Sequence, residues 1–179
     1  MKKRISQMIP LFVIIFGAIF FVSFIGFIAI NESQNSGGNS NSYNTDLTYI
    51  DIDGASINLT DHKGKVIVLY FFFLSCSSCK ISDPYLAAIE DDYLNSQLLI
   101  ITITTDPADS NSNLYNWRTA NNASWIIVRD DISHSISSHW DAALTPTTII
   151  IDQDSNFIEK FVGPNDFDNI LRNEIELLI

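Results

Sequence analysis

The sequence predicts an α/β domain, a central mixed and largely parallel sheet with helices on both faces, behind a separate apolar segment at the amino end. Three observations predict it. Val66 to Leu74 is nine apolar residues, VIVLYFFFL. That is too short to span a membrane, and its β-branched and aromatic content suits a strand buried on both faces. A second such run, Leu98 to Thr104, follows a stretch with helical spacing. Thr147 to Ile151 and Phe157 to Val162 then flank the turn residues Asp152 to Asn156, which reads as an antiparallel hairpin. Strands alternating with helices imply parallel neighbours joined by crossovers.

The chain has 179 residues, enough for one domain and an appendage. Residues 1–10 form a basic end, with Lys2, Lys3 and Arg4. Leu11 to Ile30 is twenty residues without a charge, about 30 Å as a helix, the thickness of a bilayer's hydrocarbon. It reads as an uncleaved signal-anchor. A cleaved signal peptide has a shorter apolar core and small residues before the cut, whereas here Ile28 and Ile30 precede Asn31. The next basic residue after Arg4 is Lys63, so the positive-inside rule puts the amino end in the cytoplasm and the rest outside a cell membrane. Three sequons, at Asn31, Asn58 and Asn122, would then lie in the outer compartment.

Residues 31–45 read as a flexible Asn/Ser/Gly tether, with an r.m.s. reach of about 20 Å, and residues 46–179 as the folded domain. Leu47, Tyr49, Ile50 and Ile52, then Ile57 and Leu59, flank Asp53-Gly54 as a short hairpin. Asp61 to Lys65 is a turn into the central strand. Ile81, Tyr85, Ile89 and Tyr93 recur every four residues beside Leu86, one face of a helix running from Cys76 to about Leu94, with Pro84 inside it. Asp106 to Asn113 is a loop, with a helix following to about Ala120. Trp125 to Val128 is a strand, Ile132 to Trp140 a helix, and Phe167 to Ile179 a closing amphipathic helix.

The formal net charge is −11. No acidic residue precedes Glu32, so the chain beyond the apolar segment sets seven basic residues against 21 acidic ones. Nucleic-acid binding rests on neutralising phosphates, and this composition argues against it.

The chemistry centres on the chain's two cysteines, Cys76 and Cys79, where the buried strand ends and the helix begins. The first turn of a helix offers unpaired N–H groups and the positive end of the dipole, worth roughly 0.3–1 kcal/mol to an anion. A thiolate is the attacking species in disulfide exchange. The i,i+3 spacing brings both sulfurs to one side of the chain, close enough to bond. Cys76, at the exposed end, is the candidate nucleophile, and Cys79, a turn deeper, the candidate resolving cysteine. Taken alone, a CxxC is equally half of a zinc site or an inert structural disulfide.

The order of elements, with Gly64-Lys65-Val66-Ile67-Val68, Cys76-Ser77-Ser78-Cys79 followed by Pro84, Thr102 to Asp106, and Thr145 to Asp152, resembles the thioredoxin fold. It is more specifically similar to membrane-anchored thiol–disulfide oxidoreductases of the TlpA/ResA type. The stretch from about Asn113 to Val128 resembles that family's helix–strand insertion. The resemblance implies an enzyme whose redox group is the Cys76–Cys79 disulfide, with no other cofactor. It exchanges disulfides with client proteins, as a reductase, and is itself served by an upstream thiol/disulfide donor. It further implies a cis bond before Pro146 and a backbone at Thr145 that pairs with the client strand. There are departures. Ser75 stands where the family has an aromatic residue, Ser78 where it has proline, and Ser82 where it has an acid, with Asp83 adjacent. Tyr70 stands where minimal thioredoxins carry a buried acid.

Two rivals remain on sequence alone: a copper chaperone of the Sco type, since two thiolates hold Cu(I), and an anchored binding domain with a structural disulfide. Against copper, the chain has CxxC where the Sco type has CxxxC, and Thr145-Pro146 near its histidine position. His134 and His139 fall about 140° apart on a helix and do not share a face, and His62 sits in a turn. Trp117, Trp125 and Trp140 read as core residues. Asp83, Glu90, Asp91 and Asp92 read as a solvated face.

Overall fold

The computed structural model describes residues 43–93, 95–164 and 167–179. The basic end, the apolar segment Leu11 to Ile30 and most of the tether lie outside the described residues. Among those described, no helix is long and apolar enough to cross a membrane.

β1 (Thr48–Ile50) and β2 (Ser56–Asn58) form a two-stranded antiparallel sheet. A short 3-10 helix, Leu59–His62, follows, capped by the Asn58 side chain on the Thr60 N–H. Gly64 turns the chain at a φ of 89°, a conformation that favours glycine, and its N–H bonds Gln153 O at 2.8 Å.

β3 (Val66–Phe72) is the middle of a five-stranded sheet, and all seven of its residues are buried. β4 (Leu98–Thr104) lies parallel beside it, and β5 (Ile126–Arg129) lies parallel outside β4. β6 (Thr147–Ile151) runs antiparallel on the other side of β3, and β7 (Phe157–Val162) closes that edge. The order is β5-β4-β3-β6-β7. Four α-helices are found among the described residues: α1 (Cys79–Asp92), α2 (Asn111–Ala120), α3 (Ser135–His139) and α4 (Phe167–Leu178). This is the thioredoxin-like arrangement, a mixed sheet with an added helix and strand, α2 and β5.

Strand periodicity divides β3 between two cores. Val66, Val68, Tyr70 and Phe72 face a cluster completed by Cys76, Cys79 and Leu86, by Leu114 of α2, and by Phe167, Leu171 and Ile175 of α4. Ile67, Leu69 and Phe71 face a second cluster with Tyr49, Leu59 and Trp140. Trp125 and Trp140 are buried.

Four differences from the sequence reading have physical causes. α1 begins at Cys79, not Cys76, and ends at Asp92. Its buried face is Cys79, Ser82, Asp83, Leu86 and Ile89, while Ile81 and Tyr85 are 56% and 44% exposed. Asp83 and Ser82 are therefore inside and the apolar repeat is partly outside, because Tyr70 and Trp117 donate to Asp83 and hold the helix in that rotation. The helix expected over Ile132 to Trp140 shrinks to α3. Asp131 accepts from the N–H groups of Ser133 and Ser135, which fixes a turn at the start of that segment. Tyr43, in the stretch read as tether, packs on Trp140 and Phe157 at centroid distances of 5.2 and 4.8 Å. Thr45 Oγ1 donates to Ser155 O at 2.7 Å.

Candidate active site

The site forms where β3 ends. Leu74 N–H donates to the buried Asp109 carboxylate at 3.0 Å, and Asp109 also accepts from Thr104 Oγ1. That carboxylate ties the segment entering the cysteines to the end of β4. Cys76 N–H then donates to Phe73 O at 3.0 Å, closing a turn.

Cys76 and Cys79 are joined by a disulfide, S–S 2.01 Å. Cys76 is 4% exposed and Cys79 fully buried, so the end expected to be open is only slightly so in the bonded state. The surroundings of the two sulfurs are unequal. Cys79 N–H, at the start of α1, points at Cys76 Sγ at 3.0 Å. Ser78 Oγ lies 3.4 Å from the same sulfur. One N–H points at Cys76 Sγ and a hydroxyl stands within reach of it, an arrangement suited to a thiolate there.

The Thr145–Pro146 peptide bond is cis. Pro146 is buried and Thr145 half-buried. Gly163, at a φ of 93°, donates its N–H to Pro146 O at 2.8 Å, and Thr147 Oγ1 donates to Leu144 O at 2.6 Å. Ser78 Oγ reaches Thr145 O at 3.5 Å, so one hydroxyl connects Cys76 to the segment before Pro146. The hydroxyl beside the sulfur thus belongs to Ser78, in the position where the resemblance led one to expect proline.

Behind Cys79 lies a polar group that the sequence reading placed in solvent. Asp83, one turn along α1 and 6% exposed, accepts from Trp117 Nε1 at 3.0 Å and from Tyr70 OH at 3.3 Å. Tyr70 OH also lies 3.3 Å from Cys79 O. Burial pushes the Asp83 carboxyl above its ordinary range, against the opposing pull of Trp117, Tyr70 and Lys80. Burial also pushes the Tyr70 hydroxyl up. Trp117 stacks on Phe72 at 4.2 Å, holding its ring in register with the donor bond. The Tyr70 hydroxyl therefore stands between the Asp83 carboxyl, from the helix, and the backbone carbonyl of Cys79. The only sequence signal for this was the adjacency of Asp83 to Ser82. Asp109 had none.

The remaining candidates lie apart. His134 Nδ1 is 3.9 Å from Asp130, and His139 Nε2 is 3.0 Å from Asn44 O. Among the described residues no three of His, Cys, Asp and Glu are grouped to hold a metal ion.

A thioredoxin-like sheet, a bonded cysteine pair at the strand–helix junction and a cis-proline opening a late strand are together the features of a redoxin. The sequence profile of the Redoxin family matches residues 38–175, and the chain belongs to that family. It is similar to the thiol–disulfide oxidoreductase ResA of Bacillus thuringiensis (strain Al Hakam), 26% identical over 166 residues, which cover 90% of each chain. Among solved structures it resembles a thiol–disulfide isomerase from Corynebacterium glutamicum, with TM-score 0.67, 18% identity, and 78% and 96% of the two chains covered. The exposed lipoprotein thioredoxin of Streptococcus pneumoniae superposes with TM-score 0.61 at 23% identity, covering 74% and 99%. With the ResA relatives and the CxxC disulfide together, the activity is that of a thiol–disulfide oxidoreductase of the TlpA/ResA type.

Proposed function

We propose that this oxidoreductase is held to a cell membrane by Leu11 to Ile30, with its domain extracytoplasmic, and reduces disulfides in client proteins. The anchor reading is supported by twenty uncharged residues behind Lys2, Lys3 and Arg4, and by 90% mutual coverage with ResA. The observation that carries the roles of the cysteines is the convergence of the Cys79 N–H and the Ser78 hydroxyl on Cys76 Sγ.

In the reduced state the Cys76 thiolate attacks a client disulfide. A bond forms between Cys76 Sγ and one client sulfur, the client's S–S bond breaks, and the departing client sulfur leaves as a thiolate that takes a proton. Cys79, once deprotonated, attacks Cys76 Sγ. The mixed disulfide breaks, the second client thiolate leaves, and the Cys76–Cys79 bond forms. Two electrons have passed to the client, and an upstream dithiol donor returns them. Thr145 and Pro146 position the client strand by backbone pairing at Thr145. The cysteine pair is the whole redox group, and no other cofactor is called for.

The test is insulin reduction by the full-length protein, followed by adduct trapping in membranes. Cys79→Ala is expected to accumulate mixed disulfides and Cys76→Ala to give few. Faster alkylation and more adducts from Cys76→Ala would reverse the roles. A wild-type pair that resists reduction and trapping would leave the disulfide structural.

A further inference from the structure

We propose that Ser78 is a one-proton switch between the attacking sulfur and the client-docking carbonyl, so that the reduced protein accepts a client strand and the oxidised protein releases it. This rests on the oxidoreductase reading and on the docking role of Thr145.

The argument starts from one hydroxyl with two acceptors. Ser78 Oγ lies 3.4 Å from Cys76 Sγ and 3.5 Å from Thr145 O, which belongs to a loop 67 residues further along the chain. A serine hydroxyl has one hydrogen to donate. The contact to Thr145 O is longer than an ordinary O–H···O bond, and the contact to the larger sulfur is within its ordinary reach, so both acceptors are open to the one hydrogen.

Which acceptor wins depends on the redox state. In the disulfide, Cys76 Sγ is neutral and a weak acceptor, so the hydrogen favours the Thr145 carbonyl. One of that carbonyl's two lone pairs is then taken, and a client N–H must compete for position around it. After reduction, Cys76 becomes a thiolate, already faced by the Cys79 N–H at 3.0 Å. A charge-assisted hydrogen bond is roughly twice as strong as a neutral one, so the hydroxyl turns to the sulfur. The carbonyl of Thr145 is freed for the N–H of an incoming strand. When the pair re-forms, the hydroxyl returns to the carbonyl and competes with the departing client.

Two consequences can be measured on the full-length protein, comparing wild type with Ser78→Ala and Ser78→Thr. The charged side chains around the pair, Lys80 and Asp83 on α1 and Asp109 behind Leu74, are the same in all three. First, Ser78→Ala is expected to raise the Cys76 thiol pKa by about half a unit to one unit, read from alkylation rate against pH. Its equilibrium with glutathione is expected to shift towards the disulfide by about threefold to tenfold, tenfold corresponding to ~30 mV. Second, the alkylated insulin B chain, which has no free thiol, is expected to bind reduced wild type about threefold to tenfold more tightly than oxidised wild type. Ser78→Ala should lose that difference and Ser78→Thr, which keeps the hydroxyl, should retain it. Equal binding by both redox states of wild type, or an unchanged thiol pKa in Ser78→Ala, overturns the switch while leaving the activity intact. A wild type inert to glutathione and insulin overturns both the activity and the switch.

Discussion

Leu69 and Tyr70 are neighbours on β3, equally buried, and they face two different kinds of interior. Leu69 points into a cluster of aliphatic and aromatic side chains, where Tyr49 and Trp140 satisfy each other through a 2.8 Å bond from Trp140 Nε1 to Tyr49 OH. There burial, with a smaller push from the Asp130 carboxylate, raises the Tyr49 hydroxyl to about 12, against the bond from Trp140. Tyr70 points at the cysteines, at Asp83 and through it at Trp117. One strand thus separates a core without cysteines from a core that holds the bonded cysteine pair with Asp83 behind it. A buried acid costs stability unless donors compensate it. Asp83 is met by Tyr70 and Trp117, whereas the buried acid on the Leu69 side, Asp130, lies away from the cysteines and is met by Ile136 and Ser137.

The largest expected effect lies on the apolar face. Leu69→Ala removes a fully buried side chain from the centre of the sheet. A loss of about 2–5 kcal/mol is expected in urea unfolding, with the glutathione equilibrium of the surviving folded protein unchanged. A shift in that equilibrium comparable to the change seen in a cysteine-face variant would break the separation of the two faces.

Next in size is Asp109→Ala. It strips the partner from Leu74 N–H and Thr104 Oγ1, two groups at the join between β4 and the cysteine segment. Leaving buried donors without acceptors costs about 1–3 kcal/mol. Because Leu74 lies two residues before Cys76, this variant, unlike Leu69→Ala, is also expected to change the Cys76 alkylation rate. If stability falls and the rate holds, Asp109 belongs with the purely structural residues.

These contrasts also explain what could be read in advance. The strands of the sheet were legible because Val66 to Phe72 and Leu98 to Thr104 are long apolar runs that allow little else. The cysteine pair was legible because its spacing and its position after a buried strand are local. The setting of α1 was not. Its inward face carries Ser82 and Asp83 beside Leu86 and Ile89, and its outward face Ile81 and Tyr85, so counting apolar residues finds only half of the buried face. Asp83 is inside because Tyr70 and Trp117, 13 and 34 residues away, supply its donors. The Ser78–Thr145 contact spans 67 residues and depends on how two loops meet, which no local pattern encodes. The shortened α3 turned on two side chains. Asp131 organises the turn before it, and Asp130 accepts from the N–H groups of Ile136 and Ser137.

The smallest effect sharpens the comparison most, because it isolates the acid. Burial raises the Asp83 pKa, and Trp117, Tyr70 and Lys80 only partly oppose it. The folded protein therefore keeps this proton to a higher pH than the unfolded chain, whose carboxylate titrates near ~3.9. Between those two values the native state binds more protons than the unfolded state, so stability falls as pH rises through the window and stays lower above it. Each unit by which the folded value is raised is worth about 1.4 kcal/mol. Asp83→Asn removes the titration. It also gives up one acceptor, since an amide has a single oxygen where the carboxylate met two donors, so the variant carries a fixed cost at every pH. The measured quantity is the difference in unfolding free energy, variant minus wild type, from urea melts at a series of pH values. All other titrating groups are common to both proteins and cancel to first order. The difference is expected to rise with pH across the window, with wild type relatively strongest at the acid end. A difference that stays flat would mean that the donors from Tyr70 and Trp117 fully compensate the burial of Asp83. The cysteine face would then be no more strained electrostatically than the face behind Leu69.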